Sequence, residues 1–199
     1  MGRGLLLRDA YDIYDPYFEK LYGMLSERDK SRGDIRLEYE NRKKRLKQQS
    51  LAGRQYVDFT LVDSLGCERK ISDYVGKSDL LFLDFWASWC GPCRAQEPQL
   101  VRLYQEYRSK GFEILGVSLD ANRTSWLSVL RKKENHWTDL CIAKKEDDKR
   151  VRELYSINGI PYGILIDKSG KIVNVVTAGW VHLEMLLKGY YKGRNEETK

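Results

Sequence analysis

With 199 residues, 42% of them apolar and 32% charged, the chain is long enough for one well-cored domain with something attached. No apolar run approaches the roughly 20 residues that span a bilayer. The three consecutive leucines Leu5–Leu7 are too few for a signal-peptide core, which leaves a cytoplasmic protein or a processed or truncated form. The net charge of +6 is uneven: residues 1–54 hold 13 Lys/Arg against 9 Asp/Glu and the remainder 22 against 20, so the basic excess belongs to the N-terminal segment.

Residues 1–50 read as a helical extension. Asp15-Pro16 is a helix start, a capping carboxylate followed by proline at the first helical position. Phe18, Leu21, Tyr22 and Leu25 then form an apolar stripe at helical spacing, expected to dock on some surface because a lone amphipathic helix is marginal in water. A more polar helical stretch follows from about Ile35 to Gln49, with Gly33 or Asp34 as the interruption between the two. Within it Arg42-Lys43-Lys44-Arg45-Leu46-Lys47 is strongly basic. Without interleaved aromatics, and with Glu38 and Glu40 just upstream, the run reads as a solvated helix face and not as a nucleic-acid site. Ser50-Leu51-Ala52-Gly53 is the expected linker.

From Gln55 the pattern becomes that of an α/β domain over residues 54–193. Tyr56–Val62 reads as a strand closed by the turn Asp63-Ser64-Leu65-Gly66. Leu80 to Phe85 is apolar apart from Asp84, as in a central strand buried on both faces. A helix of about 18 residues follows and stops at Lys110-Gly111. The next strand is Phe112–Leu119, and a strand–helix–strand unit of this length implies parallel pairing. Further on come a helix over Asn122–Glu134, a short apolar stretch Leu140–Ala143, a helix Asp147–Tyr155, strands Tyr162–Asp167 and Ile172–Thr177 joined by a hairpin, and a last helix carrying Leu183, Leu186, Leu187 and Tyr190. The order describes a mixed sheet with helices on both faces.

The chemistry lies between the first central strand and its helix, in Trp86-Ala87-Ser88-Trp89-Cys90-Gly91-Pro92-Cys93. Strand, tight turn, then helix places Cys90 at a helix N-terminus, where unpaired N–H groups and the positive end of the dipole stabilise a thiolate. Cys93, one turn later, can attack any mixed disulfide formed on Cys90. Gly91 and Pro92 keep the loop tight enough for the two sulfurs to bond. Asp84, buried in an apolar strand, should have a raised pKa and could take a proton from Cys93. Trp86 and Trp89 read as packing residues, with Trp89 flanking the substrate groove.

The other two cysteines, Cys67 in a turn and Cys141 in an apolar patch, lie 74 positions apart and read as a bystander and a small buried hydrophobe. Neither that spacing nor His136 and His182 suggests a metal site, and no cofactor is expected.

These residues give the chain a resemblance over about residues 54–192. It resembles the thioredoxin-fold thiol-disulfide oxidoreductases and is similar to their TlpA/ResA branch. The features that carry it are Trp89-Cys90-Gly91-Pro92-Cys93 after Asp84-Phe85-Trp86-Ala87, then Gly159-Ile160-Pro161, the lead-in Asp58-Phe59-Thr60-Leu61 with Ser72-Asp73-Tyr74, and the extra helix around Trp126–Trp137. The resemblance implies a thioredoxin-like three-layer sandwich, with Pro161 as the family's cis-proline. That proline would turn Ile160 so that its backbone meets an extended substrate beside Cys90. The branch commonly has Glu where this chain has Gln96, with Glu97 next to it, and Asn where it has Asp84; Asp84 matches thioredoxin itself.

The implied activity is thiol exchange on protein disulfides, in the reducing direction given Gly91-Pro92, with a thiol compound or protein as electron donor. A periplasmic or cell-envelope setting in a bacterium is also implied, with tethering through a segment outside this chain, and the oligomeric state stays open. Two alternatives stand beside it. A thioredoxin-fold binding scaffold would have no need of two thiols. A peroxiredoxin-like peroxidase would carry threonine where Ala87 stands.

Overall fold

The computed structural model describes residues 20, 22–133, 137–142, 144–177 and 179–197. The chain divides into two compact units, Met1–Lys47 and Gln48–Lys199. In the first, helix α1 (Glu27–Lys30) is capped by Ser26, whose Oγ accepts from the Asp29 N–H at 3.1 Å. Helix α2 (Gly33–Gln49) begins at the glycine expected to separate the two helical stretches, and it has no buried residue. Tyr22 stacks on Tyr39 with ring centroids 3.7 Å apart, and Arg45 pairs with Glu38 at 2.8 Å. Asp15, Pro16, Phe18 and Leu21, which began the expected amphipathic helix, lie outside the described residues, as does His136.

The second unit is built on a seven-stranded sheet in the order β2-β1-β5-β4-β3-β6-β7. The strands are β1 (Thr60–Val62), β2 (Glu68–Lys70), β3 (Leu80–Trp86), β4 (Phe112–Ser118), β5 (Thr138–Cys141), β6 (Tyr162–Asp167) and β7 (Ile172–Val176). The central β3 is buried along all seven residues, as its apolar run requires. It pairs in parallel with β4, which pairs in parallel with β5; β6 and β7 add antiparallel strands on the other side.

Alternate residues of β3 feed two cores. Leu81, Leu83 and Phe85 join Val151 and Tyr155 on one face, while Leu80 and Phe82 join Leu100, Leu103, Leu183 and Leu187 on the other. The second set belongs to helices α3 (Gly91–Tyr107) and α6 (Gly179–Glu197), and Val151 to α5 (Lys145–Leu154). Helices therefore cover both faces, and each fully buried leucine or phenylalanine contributes about 1.5–3 kcal/mol.

Several boundaries differ from the sequence reading. Only Thr60–Val62 of the expected strand from Tyr56 joins the ladder. Upstream, the backbone groups are satisfied elsewhere: the Tyr56 N–H by the Gly170 carbonyl, and both groups of Val57 by the Tyr155 hydroxyl. The expected linker is packed, because Leu51 is buried in the core and the Gly53 N–H donates to the Ile172 carbonyl. Helix α4 (Arg123–Leu130) is capped by Asn122 and ends short of the expected Glu134. The apolar stretch expected at Leu140–Ala143 contributes its first two residues to β5, which spans Thr138–Cys141. The helix expected to stop at Gly111 runs to Tyr107, followed by a 3-10 turn whose exit is Gly111 at φ 96°.

Candidate active site

The site is assembled where β3 ends. Cys90 is the N-cap of α3 and is disulfide-bonded to Cys93, with Cα atoms 5.3 Å apart. The Cys93 N–H donates to Cys90 Sγ at 3.2 Å, so the helix N-terminus already points a donor at the sulfur that would carry negative charge once the bond is reduced. Gly91 and Pro92 are exposed in the first turn of α3, and Trp89 presents an indole that is 65% exposed beside the disulfide. Trp86, Ala87, Trp126 and Cys141 form an apolar cluster with the two cysteines. The two cysteines are themselves only 4% and 5% exposed, so the disulfide is packed on an apolar support next to an exposed indole.

The Ile160–Pro161 peptide is cis, and the Ile160 carbonyl lies 3.8 Å from Cys90 Sγ. Two segments distant in sequence therefore meet at one sulfur. Asp84 is 5% exposed, on the face of β3 that packs against α3, and its Oδ1 has no hydrogen-bond partner. Burial pushes its carboxyl up to about 7; the positive charge of Lys133 opposes this, while Asp139 and Glu97 add to it. Glu97 lies one turn after Cys93 on α3, so these two residues share a helix face. Gln96, at the position where the branch commonly has Glu, is instead packed against Gly179, where an added Cβ would come within 2.7 Å of its Oε1. The acidic group that Asp84 senses on α3 is therefore Glu97.

One buried carboxylate close to Cys90 escaped sequence reasoning. Asp120 is 4% exposed, and its carboxylate accepts from the Ser88 N–H (2.8 Å), the Ser88 hydroxyl (2.6 Å) and the Ser118 hydroxyl (2.7 Å). It pins the loop two residues ahead of Cys90. The only sequence signal was a Ser-x-Asp at the end of a central parallel strand, where ligand sites of open α/β sheets lie. Asp120→Ala should cost about 2 kcal/mol, since buried hydroxyls would lose a charged acceptor. That corresponds to a fall of about 4–8 °C in the melting temperature by calorimetry, with slower disulfide exchange at unchanged far-UV circular dichroism.

Of the remaining candidates, Cys141 packs in the cluster with Cys90 and Cys93. Cys67 is exposed and free; Cys141 is buried and free, its thiol pushed up to about 11 by burial. Partial burial also holds His182 below the ordinary histidine range. Among the described residues no group of three or more His, Cys, Asp or Glu is placed to hold a metal ion, and no helix is long and apolar enough to cross a membrane.

The fold recurs in known proteins. Residues 77–172 match a family described as thioredoxin-like. "Thiol-disulfide oxidoreductase ResA" of Geobacillus kaustophilus is 36% identical over 120 residues, 60% of this chain and 66% of that protein. The chain therefore spans slightly under two thirds of that relative. The protein of the same name from Bacillus anthracis is 30% identical over 146 residues, covering 73% of this chain and 80% of the relative. Among solved structures, the thioredoxin domain of a thiol-disulfide oxidoreductase from Bacteroides vulgatus superposes with a TM-score of 0.60 at 31% identity, over 68% of this chain and 97% of that domain. With a Cys-x-x-Cys disulfide at the head of α3 and relatives of this identity and coverage, the chain belongs to the thioredoxin-like thiol-disulfide oxidoreductases.

Proposed function

We propose that the chain reduces protein disulfides, with Cys90 as nucleophile, Cys93 as resolving thiol and Asp84 as the group that accepts the Cys93 proton. The observation that carries this reading is the position of Cys90, at the N-terminus of α3 with the Cys93 N–H on its sulfur and the Ile160 carbonyl 3.8 Å away. In the reduced protein the Cys90 thiolate attacks a substrate disulfide; a Cys90–substrate S–S bond forms, and one substrate sulfur leaves as a thiolate that water protonates. Cys93 then gives its proton to the Asp84 carboxylate and attacks Cys90 Sγ. The second substrate sulfur departs, and two electrons have passed from the dithiol to the substrate. The resulting Cys90–Cys93 disulfide is the form seen here. A thiol donor regenerates the dithiol.

Trp89, Gly91 and Pro92 form the solvent-facing rim on which an extended peptide would lie, with the backbone at Ile160 and Pro161 as its second wall. The likeness to the ResA proteins favours a bacterial cell-envelope setting, with tethering through a segment outside this chain. Residues 1–47 take no part in the exchange step. The cut belongs before Gln48 because its side chain donates to the Ser156 carbonyl at 3.1 Å and Leu51 is buried. The test is insulin reduction followed by turbidity with dithiothreitol as donor. The full chain and residues 48–199 should both exceed the dithiothreitol background at the same rate. Folded protein that adds nothing to the background would contradict the activity, and a folded but inactive truncation would contradict the division of labour.

A further inference from the structure

A buried ion pair lies next to the proposed proton acceptor. Lys133 Nζ is 3.1 Å from Asp139 Oδ1 and 3.3 Å from Oδ2, and the two side chains are only 5% and 1% exposed. The ammonium also stands 3.6 Å from the centroid of the Trp86 indole, whose Nε1–H donates to Asp139 Oδ1 at 2.9 Å. Lysine, aspartate and tryptophan thus close a three-membered cluster with few ways to rearrange. A buried ion pair is weak evidence for stability, because desolvating the two charges offsets much of their attraction. Its location is the informative part.

The sheet register places the cluster. Asp84 is paired with Gly116 of β4, and Gly116 with Asp139 of β5, so the three residues form one row on one face of the sheet. Gly116 is the gap that makes the row work. A Cβ there would stand 2.0 Å from Asp139 Oδ1 and 3.2 Å from Trp86 Nε1, so any side chain would push the carboxylate away from the middle of the sheet. Trp86 lies two residues along β3 from Asp84 and shares its face. A charged pair has been carried across an empty position to the neighbourhood of the buried Asp84 carboxyl.

We propose that Lys133 and Asp139 are positioning residues for the exchange reaction: an ion pair, held on the Trp86 indole and admitted by Gly116, that fixes the charge environment in which Asp84 takes up and releases its proton. This rests on the proposed role of Asp84 as acceptor for Cys93. The charged groups that act on Asp84 are Lys133 from the segment after α4, Asp139 from β5 and Glu97 from α3, with Lys133 opposing the other two. Opposite signs within one pair make the inference testable, because loss of packing would act on both variants alike.

The experiment is the titration of the Asp84 carboxyl, followed by carbon-13 NMR on aspartate-labelled full-length protein in its disulfide form. Lys133→Met should move the Asp84 midpoint up and Asp139→Asn should move it down, each by about one pH unit, while Lys133→Arg, which keeps the charge, leaves it in place. In the reduced proteins the pH profile of mixed-disulfide resolution should shift in the same two directions. Shifts of the same sign in both variants, or no shift in either, overturn the proposal. Should Lys133→Met fail to fold, Asp139→Asn decides alone: a downward move supports the pair's role, and an unmoved or raised midpoint removes it. The readout is Asp84's own titration, so it stands apart from whether Asp84 serves Cys93. That reading is tested separately by Asp84→Asn, whose failure to slow resolution would overturn it.

Discussion

Cys90→Ser is expected to bring insulin reduction down to the dithiothreitol background, whereas Cys93→Ser should lose multiple turnover but keep one fast reaction with substrate. The asymmetry follows from the geometry. Only Cys90 caps α3 and receives the Cys93 N–H on its sulfur, so only its thiolate has a donor waiting. A hydroxyl at position 90 is no substitute, because serine is not appreciably ionised near neutral pH and cannot form the S–S bond the reaction requires. Serine at position 93 leaves the first attack intact and removes the second. Stopped-flow recording of a single turnover separates the two variants. Equal loss of the first phase in both, at preserved fold, would contradict the assigned order of attack.

Asp84→Asn should make the disulfide form more stable and the enzyme slower. Burial raises the Asp84 carboxyl from 3.8 to about 7, which penalises its charged form by about 4 kcal/mol. The sign follows from linkage. The folded pKa lies above the unfolded one, so stability is fully present below about pH 4, falls as the pH rises through the folded value near 7, and levels off above it. Asparagine carries no charge to penalise. Urea unfolding should therefore show Asp84→Asn more stable than the parent by about 2–4 kcal/mol at pH 8, with no gain at pH 4. Resolution of the mixed disulfide should slow by about 10²-fold at pH 8, where the parent carboxylate is ionised and able to accept the proton. A variant that is less stable at pH 8 would mean that burial does not penalise the ionised Asp84 carboxylate. The retained cost of a buried carboxyl is the kind of stability loss a working site tolerates.

The parts of the site legible in the sequence were those written locally. The run Leu80–Phe85 ending at Cys90-Gly91-Pro92-Cys93 encodes a strand, a turn and a helix within a few residues of one another, and Asp84 stands out as the one charge in that run. Ile160–Pro161 was legible through the resemblance at Gly159-Ile160-Pro161, and an X–Pro bond is the kind that takes the cis form readily. What escaped depends on contacts between distant segments. Ser88 and Asp120 meet only once β3 and β4 are side by side, and Asp84, Gly116 and Asp139 form a row only in the finished register.

The misread elements have physical causes as well. Thr138–Cys141 has four residues, too few to show a period, and Glu68–Lys70 is exposed at every position, so neither carries an apolar alternation. Tyr56 and Val57 alternate like a strand, but the Tyr155 hydroxyl and the Gly170 carbonyl occupy their backbone groups. Leu51 reads as linker by its neighbours and as core by its own side chain, and burial decided in favour of the side chain.

The most direct measurement is a trap. Reduced Cys93→Ser protein is mixed with a peptide disulfide, quenched with acid, digested without reductant and mapped by mass spectrometry. The expected result is one peptide joined to Cys90 in near-stoichiometric yield, released by dithiothreitol, with Cys67 and Cys141 unmodified. An adduct on Cys67, or folded protein that captures nothing, would contradict Cys90 as the nucleophile of a thiol-disulfide exchange.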